Sequence, residues 1–229
     1  MRAVETGGAL RTAAVVVLLS AVAGGPTSGQ SGGAEKADRL MARAGERYGA
    51  LQGFCAEFTQ ERIVPLLDQR TISRGTLCQR QPGYFLMDFS DPEGDVVVAD
   101  GEQLWTYFPS VDPGRVIRSE LGGAGGRTFN FHDEFLSEPE ARFDAGYEGT
   151  DTVTGRPTHV LSLRPRRDAG YVRARIWLGE ESGLIRKVEL VEENDSLRRI
   201  TLSGIRLNPG LEPERFRFVP PTGIQVISR

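Results

Sequence analysis

Tyr171-Val172-Arg173-Ala174-Arg175-Ile176-Trp177-Leu178 alternates strictly: Val172, Ala174, Ile176 and Leu178 fall on one side of an extended chain, Arg173 and Arg175 on the other. Successive strand side chains point to opposite faces, so this stretch reads as a β-strand with one dry and one wet face. The signal recurs outward in both directions. Downstream, 184–191, 197–205, 215–219 and 224–227 are short and rich in β-branched or aromatic residues. Upstream lie 157–163 and, beyond an interruption, 54–63, 71–80, 83–89, 95–100, 103–108 and 115–118, separated by Gly, Pro or Asp. About a dozen consecutive strands with one apolar face must curl to bury it, against another sheet, against helices or around a cavity. One amphipathic helix precedes them, over 38–51, with Leu40, Met41, Ala44, Tyr48 and Leu51 on one face of a 3.6-residue period.

A chain of 229 residues suits one domain, and 39% hydrophobic with 26% charged residues is ordinary globular usage. The formal charge of -3 gives no basic surplus, which argues against nucleic acid as a partner. Arg2 and Arg11 flank the start of the apolar run 12–22, which is too short to span a bilayer, and Ala21-Val22-Ala23 fits the small-residue cleavage rule. The expected organisation is therefore a signal peptide at 1–23, a flexible Gly/Ser-rich leader at 24–37 and a single domain at 38–229. No cysteine follows the apolar run to be acylated, so the exported product is expected to be soluble. The two cysteines of an exported chain predict a disulfide. A hairpin turning near Pro65 to Asp68 sets Cys55 opposite Cys78 and makes that pair a structural staple.

The chain carries no G-x-S-x-G, H-E-x-x-H, phosphate-binding loop or strand-coupled G-x-G-x-x-G. His132 and His159 lie at no ligand spacing from each other or from a cysteine, so neither a metal nor a cofactor is expected, and no catalytic residue is assigned. Between Glu120 and Asp144 the strand pattern lapses into Gly122-Gly123-Ala124-Gly125-Gly126 and a segment bearing Phe129, Phe131, Phe135 and Leu136. This region reads as a glycine-hinged lid or as an irregular surface crossover.

Four segments carry a resemblance. They are Phe54-x-Ala56-x-Phe58-Thr59-Gln60; Gly75-Thr76-Leu77 followed by Pro82-Gly83-x-Phe85; Asp100-Gly101-x-x-Leu104-Trp105-x-Tyr107; and Phe216-x-Phe218-x-Pro220-Pro221-x-Gly223-Ile224-x-Val226-Ile227. In order and spacing they resemble the periplasmic outer-membrane lipoprotein carrier (LolA) family over nearly the whole exported chain. The resemblance implies a mainly β (α+β) fold, an incompletely closed antiparallel half-barrel of about 11–12 strands, with an N-terminal helix and short lid helices over a hydrophobic cavity. It implies a monomeric periplasmic chaperone, not an enzyme. Such a carrier takes lipoproteins from an inner-membrane ABC transporter, shields their acyl chains and hands them to an outer-membrane acceptor. Phe58, Leu77, Phe85, Met87, Trp105 and Tyr107, with Phe129 and Phe131 from the lid, are expected to line the cavity. In the family an arginine before the proline of the second motif bonds the lid backbone and keeps the empty cavity closed; here Gln81 holds that position, a weaker latch able to bond lid carbonyls. Arg80, one step away on a strand, points to the other face. The alternatives are a related half-barrel that carries or senses another amphiphile, such as a glycolipid or polyene, and an enzyme whose residues converge only in the fold.

Overall fold

The computed structural model describes residues 28–121 and 130–228. The expected signal peptide and residues 24–27 of the expected leader lie outside them, as do the glycine run 122–126 and Phe129. The elements are α1 (Ser28–Gly49), β1 (Gly53–Val64), β2 (Gln69–Arg80), β3 (Tyr84–Asp91), β4 (Glu93–Asp100), β5 (Gln103–Tyr107) and β6 (Arg115–Glu120). After a single π-helical turn (His132–Leu136) come α2 (Pro139–Arg142), β7 (Phe143–Val153), β8 (Arg156–Pro165), β9 (Arg173–Gly179), β10 (Ile185–Val191), β11 (Leu197–Leu207) and β12 (Gln225–Ser228). The strands form one open twelve-stranded sheet in the order β12-β6-β5-β4-β3-β2-β1-β11-β10-β9-β8-β7. Every pairing is antiparallel except β12 on β6, a parallel departure from the expected all-antiparallel sheet.

Alternation divides the sheet as the sequence requires. Ala174, Ile176 and Leu178 of β9 join Phe58, Leu77, Phe85, Met87, Leu161, Leu163 and Leu202 in one buried cluster on the concave side. The opposite face carries charge along β9, β10, β11, β1 and β2: Arg175 faces Glu189, Arg199 bridges Glu189 and Glu61, and Arg70 pairs with Glu61. Two faces so different fix the strand register, because a one-residue slip would bury every one of these charges. Gly75 permits the close β2–β3 approach, since a Cβ there would stand 2.0 Å from the Asp88 carbonyl oxygen. The β1–β2 hairpin brings Cys55 opposite Cys78, and a disulfide joins them.

The elements depart from expectation at four places. α1 begins at Ser28, so 28–37 of the expected flexible leader is helical. Ala37 is fully buried, extending the Met41, Ala44, Tyr48 stripe by one turn, and Lys36 Nζ lies 3.6 Å from the Tyr147 ring centroid on β7. Tertiary packing thus overrides the low helix propensity of Gly32 and Gly33. Strand β7 has no counterpart in the sequence reading, because as an edge strand with mostly part-exposed residues it lacks an apolar alternation. The expected strand at 215–219 is instead a 3-10 turn, Pro213–Phe216, followed by irregular chain. Val172, half exposed at 49%, precedes β9 and leaves the dry face.

The C-terminal segment explains the third departure. It crosses the convex face of the sheet and presses Phe216, fully buried, into a second cluster with Cys55, Cys78, Leu86 and Val98. On this half the sheet is therefore covered on both sides, and its strands need not alternate apolar with polar.

Candidate functional site

The concave wall is roofed by α1 and by the segment from Asn130 to Arg142. The roof residues that reach deepest are Met41, Phe131 and Phe135, all fully buried. Phe131 stacks on Phe54 at 6.5 Å and on Phe135 at 6.5 Å, and Phe135 continues to Phe143 and Tyr171, each at 6.4 Å. Beneath them Phe58, Phe89 and Phe108 form an edge-to-face chain at 5.0 and 5.8 Å. Among the described residues, the roof's Phe131 and Phe135 pack fully buried into the same cluster as the wall. Where β2 ends beneath the roof, the crevice lined by Tyr48, Phe54, Gln79, Gln81, Asn130 and His132 has about 10 Å³, the room of one water.

The roof segment from Asn130 to Arg142 is built to hold together and to dock. The Asn130 side-chain oxygen accepts from the backbone N–H of His132 (3.1 Å) and of Asp133 (3.4 Å), capping the first free donors of the turn, while its amide donates to Asp133 Oδ2 at 2.7 Å. Gly45 of α1 lets the two roof pieces meet, for a Cβ there would lie 3.2 Å from the Leu136 carbonyl oxygen. Glu134 is the docking group. Its Oε1 accepts from the Tyr171 hydroxyl at 2.5 Å and its Oε2 from the Arg142 guanidinium at 3.4 Å. Arg142 also donates to the Asp133 carbonyl, and with the Tyr171 hydroxyl it makes two donors that close on one part-buried carboxylate.

The two ends of the roof are held differently. Gln81 Nε2 donates to the Tyr48 carbonyl at 3.3 Å, at the C-terminal end of α1, and not to any carbonyl of the Asn130 to Arg142 segment. Among the described residues, Gln81 thus tethers the end of the helix. Tyr48 itself is buried, and its hydroxyl accepts from the Ile185 N–H at 3.1 Å; burial pushes that hydroxyl well above its ordinary pKa, so it stays neutral. Gln81→Ala should therefore leave amide exchange at 131–137 unchanged within about twofold while speeding exchange at 48–50, since one neutral hydrogen bond contributes only about 0.5–1.5 kcal/mol.

Of the expected lining residues, Phe58, Leu77, Phe85, Met87 and Phe131 converge in the concave cluster. Trp105 and Tyr107 do not. Leu104 takes the inward position on β5, and both aromatics face the convex side, where they contact Phe218 at 5.8 and 6.0 Å. Trp105 Nε1 also donates to Asp100 Oδ2 at 2.9 Å. With apolar cover on both faces of β5, size and aromaticity give no clue to which face is inward; parity with Leu104 would have done so. Arg80, as expected, turns away from the concave side: its guanidinium lies 5.2 Å from the ring of Tyr84, a residue of the convex cluster. The sequence reading missed Glu134 and Tyr171, whose pairing spans 37 positions and left no local signal.

Among the described residues, no group of three or more His, Cys, Asp or Glu side chains is placed to hold a metal ion, and no helix is long and apolar enough to cross a membrane. Chemically, the site offers an apolar wall, a roof of one helix and short turns, and one polar clasp.

Over residues 49–219 the chain matches the family model described as outer membrane lipoprotein carrier protein LolA. It is 29% identical over 171 residues to an outer-membrane lipoprotein carrier protein of Methylococcus capsulatus, spanning 75% of this chain and 79% of that one. To a protein of the same description from Neisseria meningitidis it is 27% identical over 180 residues, spanning 77% and 81%. Among solved structures it resembles an uncharacterised conserved protein of Thermus thermophilus, with a TM-score of 0.54, 14% identity and coverage of 85% and 99%; that likeness concerns the fold alone.

Proposed function

The chain belongs to the outer membrane lipoprotein carrier protein (LolA) family, and from that premise we propose that it is a periplasmic chaperone that shields the acyl chains of lipoproteins in transit between membranes. The observation that carries this reading is the kind of cover over the concave wall. The apolar side chains of that wall are capped by a helix and by a short clasped segment that can leave without breaking a strand pairing, whereas the convex face is sealed by chain that ends in a sheet strand. A roof of this kind suits alternation between a self-filled and a guest-filled state, which a ligand drives only through its different affinity for the two. In this reading Phe131 and Phe135 occupy in the empty carrier the space that acyl chains take in the loaded one.

The route follows from the same reading: cleavage of the signal peptide after Ala23, loading from an inner-membrane ABC transporter and release to an outer-membrane acceptor where one exists. The carrier acts as a monomer and makes and breaks no bond. Phe58, Leu77, Phe85 and Met87 form the wall the chains meet, and the Cys55–Cys78 disulfide pins the central hairpin beneath it. The test is extraction of the protein, purified from its native periplasm without detergent, followed by mass spectrometry of what it held. Recovery of triacylated N-terminal peptides is the expected result. Free glycolipid or polyene without peptide would overturn the lipoprotein assignment in favour of another amphiphile.

A further inference from the structure

Among the described residues, five of the seven large apolar side chains that stand exposed lie at one end of the sheet. Leu66 (87%) and Leu67 (60%) form the β1–β2 turn, Ile72 sits just inside it, Val111 is in the β5–β6 loop and Val172 precedes β9. The register places these turns together: Val64 pairs with Gln69, Tyr107 with Val116, and Val191 with both Arg173 and Leu197. The β1–β2 hairpin overhangs its neighbour on one side, while on the other β1 pairs with β11 as far as Ile63 with Leu197. Pairing of β2 with β3 starts only at Arg74 with Asp91, so Gln69–Ser73 overhang that neighbour by five residues, about 16 Å of strand. Exposure of two adjacent leucines in one turn is not the scatter of single apolar residues that a soluble surface tolerates.

The apolar interior runs out to the same end. The edge-to-face chain Phe58, Phe89, Phe108 leads from the wall to the rim, where the Phe108 carbonyl accepts from the Val111 N–H at 3.0 Å. The geometry points to a lipid bilayer surface as the partner of this rim. The uncharged turn Pro65–Leu67 enters the upper acyl layer and sets the Phe108 end of the interior against the membrane. The inference rests on the reading of the chain as an acyl-chain carrier and adds the site at which it meets lipid. A bilayer fits better than a protein pocket because the apolar groups come from three separate turns and make no continuous concave or convex patch. A fluid surface adapts to such a set. Charge favours neither sign strongly: exposed Arg62 and Arg70 flank the tip along with Asp68, so the attachment is apolar, shallow and insensitive to salt.

The test uses the full exported chain with Leu66→Trp and vesicles of phosphatidylethanolamine and phosphatidylglycerol, some carrying bromine at shallow acyl positions. The expected result is a blue shift in the emission of the introduced indole, taken as the difference from wild type, with quenching by the brominated lipid and no change on added salt. In co-flotation, Leu66→Asp should lower vesicle partition about tenfold. Equal partition of Leu66→Asp and wild type, or no quenching, overturns the inference. So does a Leu66→Asp defect seen only with a purified transporter and not with vesicles. Binding of a soluble fatty acyl probe, measured on the same variants without vesicles, separates the two readings: probe bound with no vesicle contact removes the tip alone, whereas no probe bound removes the carrier reading.

Discussion

Phe135→Ala tightens the binding of a fluorescent fatty acyl probe about 100-fold and leaves the midpoint of sheet unfolding in urea nearly unchanged. Truncating a fully buried phenylalanine ordinarily costs about 3–5 kcal/mol in stability. Phe135 is fully buried, but among the described residues every aromatic partner that it stacks on belongs to the roof or its landing, namely Phe131, Phe143 and Tyr171. If the roof lifts as a unit, the cost falls on the closed state alone. Apparent affinity is the intrinsic affinity divided down by the fraction of molecules competent to bind. Destabilising the closed state by about 3 kcal/mol therefore raises that fraction, and with it the affinity, by about two decades. Ile176→Ala is the control, since Ile176 is equally buried but stands on the wall itself. It lowers the urea midpoint and does not tighten the probe. A Phe135→Ala variant that loses sheet stability with no gain in affinity would show that Phe135 is ordinary core.

On the proposed reading, the magnitudes let a guest displace the roof's Phe131 and Phe135. Two phenylalanines contribute about 3–6 kcal/mol of burial to the closed state. An acyl chain of roughly sixteen carbons, at about 0.8 kcal/mol per buried CH₂, offers on the order of 12 kcal/mol. One chain is enough to displace the rings and still bind. The closed state then spares the empty carrier an exposed apolar trough, which would otherwise invite aggregation.

How much of this was legible beforehand depends on how local each feature is. The alternation in β9 and the Met41, Ala44, Tyr48 stripe of α1 are properties of neighbouring residues, and both elements form there, although α1 starts earlier, at Ser28, and β9 later, at Arg173. The register of β1 against β2 follows from a turn at Pro65–Leu67, and with it the opposition of Cys55 and Cys78. What failed to show was set by distant chain. Trp105 and Tyr107 face outward because Phe218, more than a hundred residues later, supplies an apolar cover there. The 215–219 segment reads as a strand by composition, yet its aromatics serve as plugs on the back of the sheet. β7 pairs on only one side and is stabilised by β8 and by α1, so its own sequence needed no apolar face. Gln81 sits at the family's latch position, but what it touches is fixed by where α1 ends.

That last point yields the second large effect. Tyr171→Phe removes the hydroxyl that donates to Glu134 at 2.5 Å, while the ring stays to stack on Phe135. A hydrogen bond to a charged acceptor contributes about 1.5–3 kcal/mol, and here its loss also leaves Oε1 of a mostly buried carboxylate (side chain 18% exposed) without that donor. Arg142, at 3.4 Å from the other oxygen and with a 36% exposed side chain, is too distant and too wet to compensate. Amide exchange at 131–137 should rise about 30-fold, corresponding to about 2 kcal/mol of easier roof opening, with exchange in β9 and β10 unaltered. Gln81→Ala in the same experiment leaves the 131–137 amides alone. The contrast matters more than either number: it assigns closure to the Glu134 clasp on the β9 side and the tethering of α1 to Gln81. Equal acceleration at 131–137 in both variants would return the latch to the position the family resemblance implied.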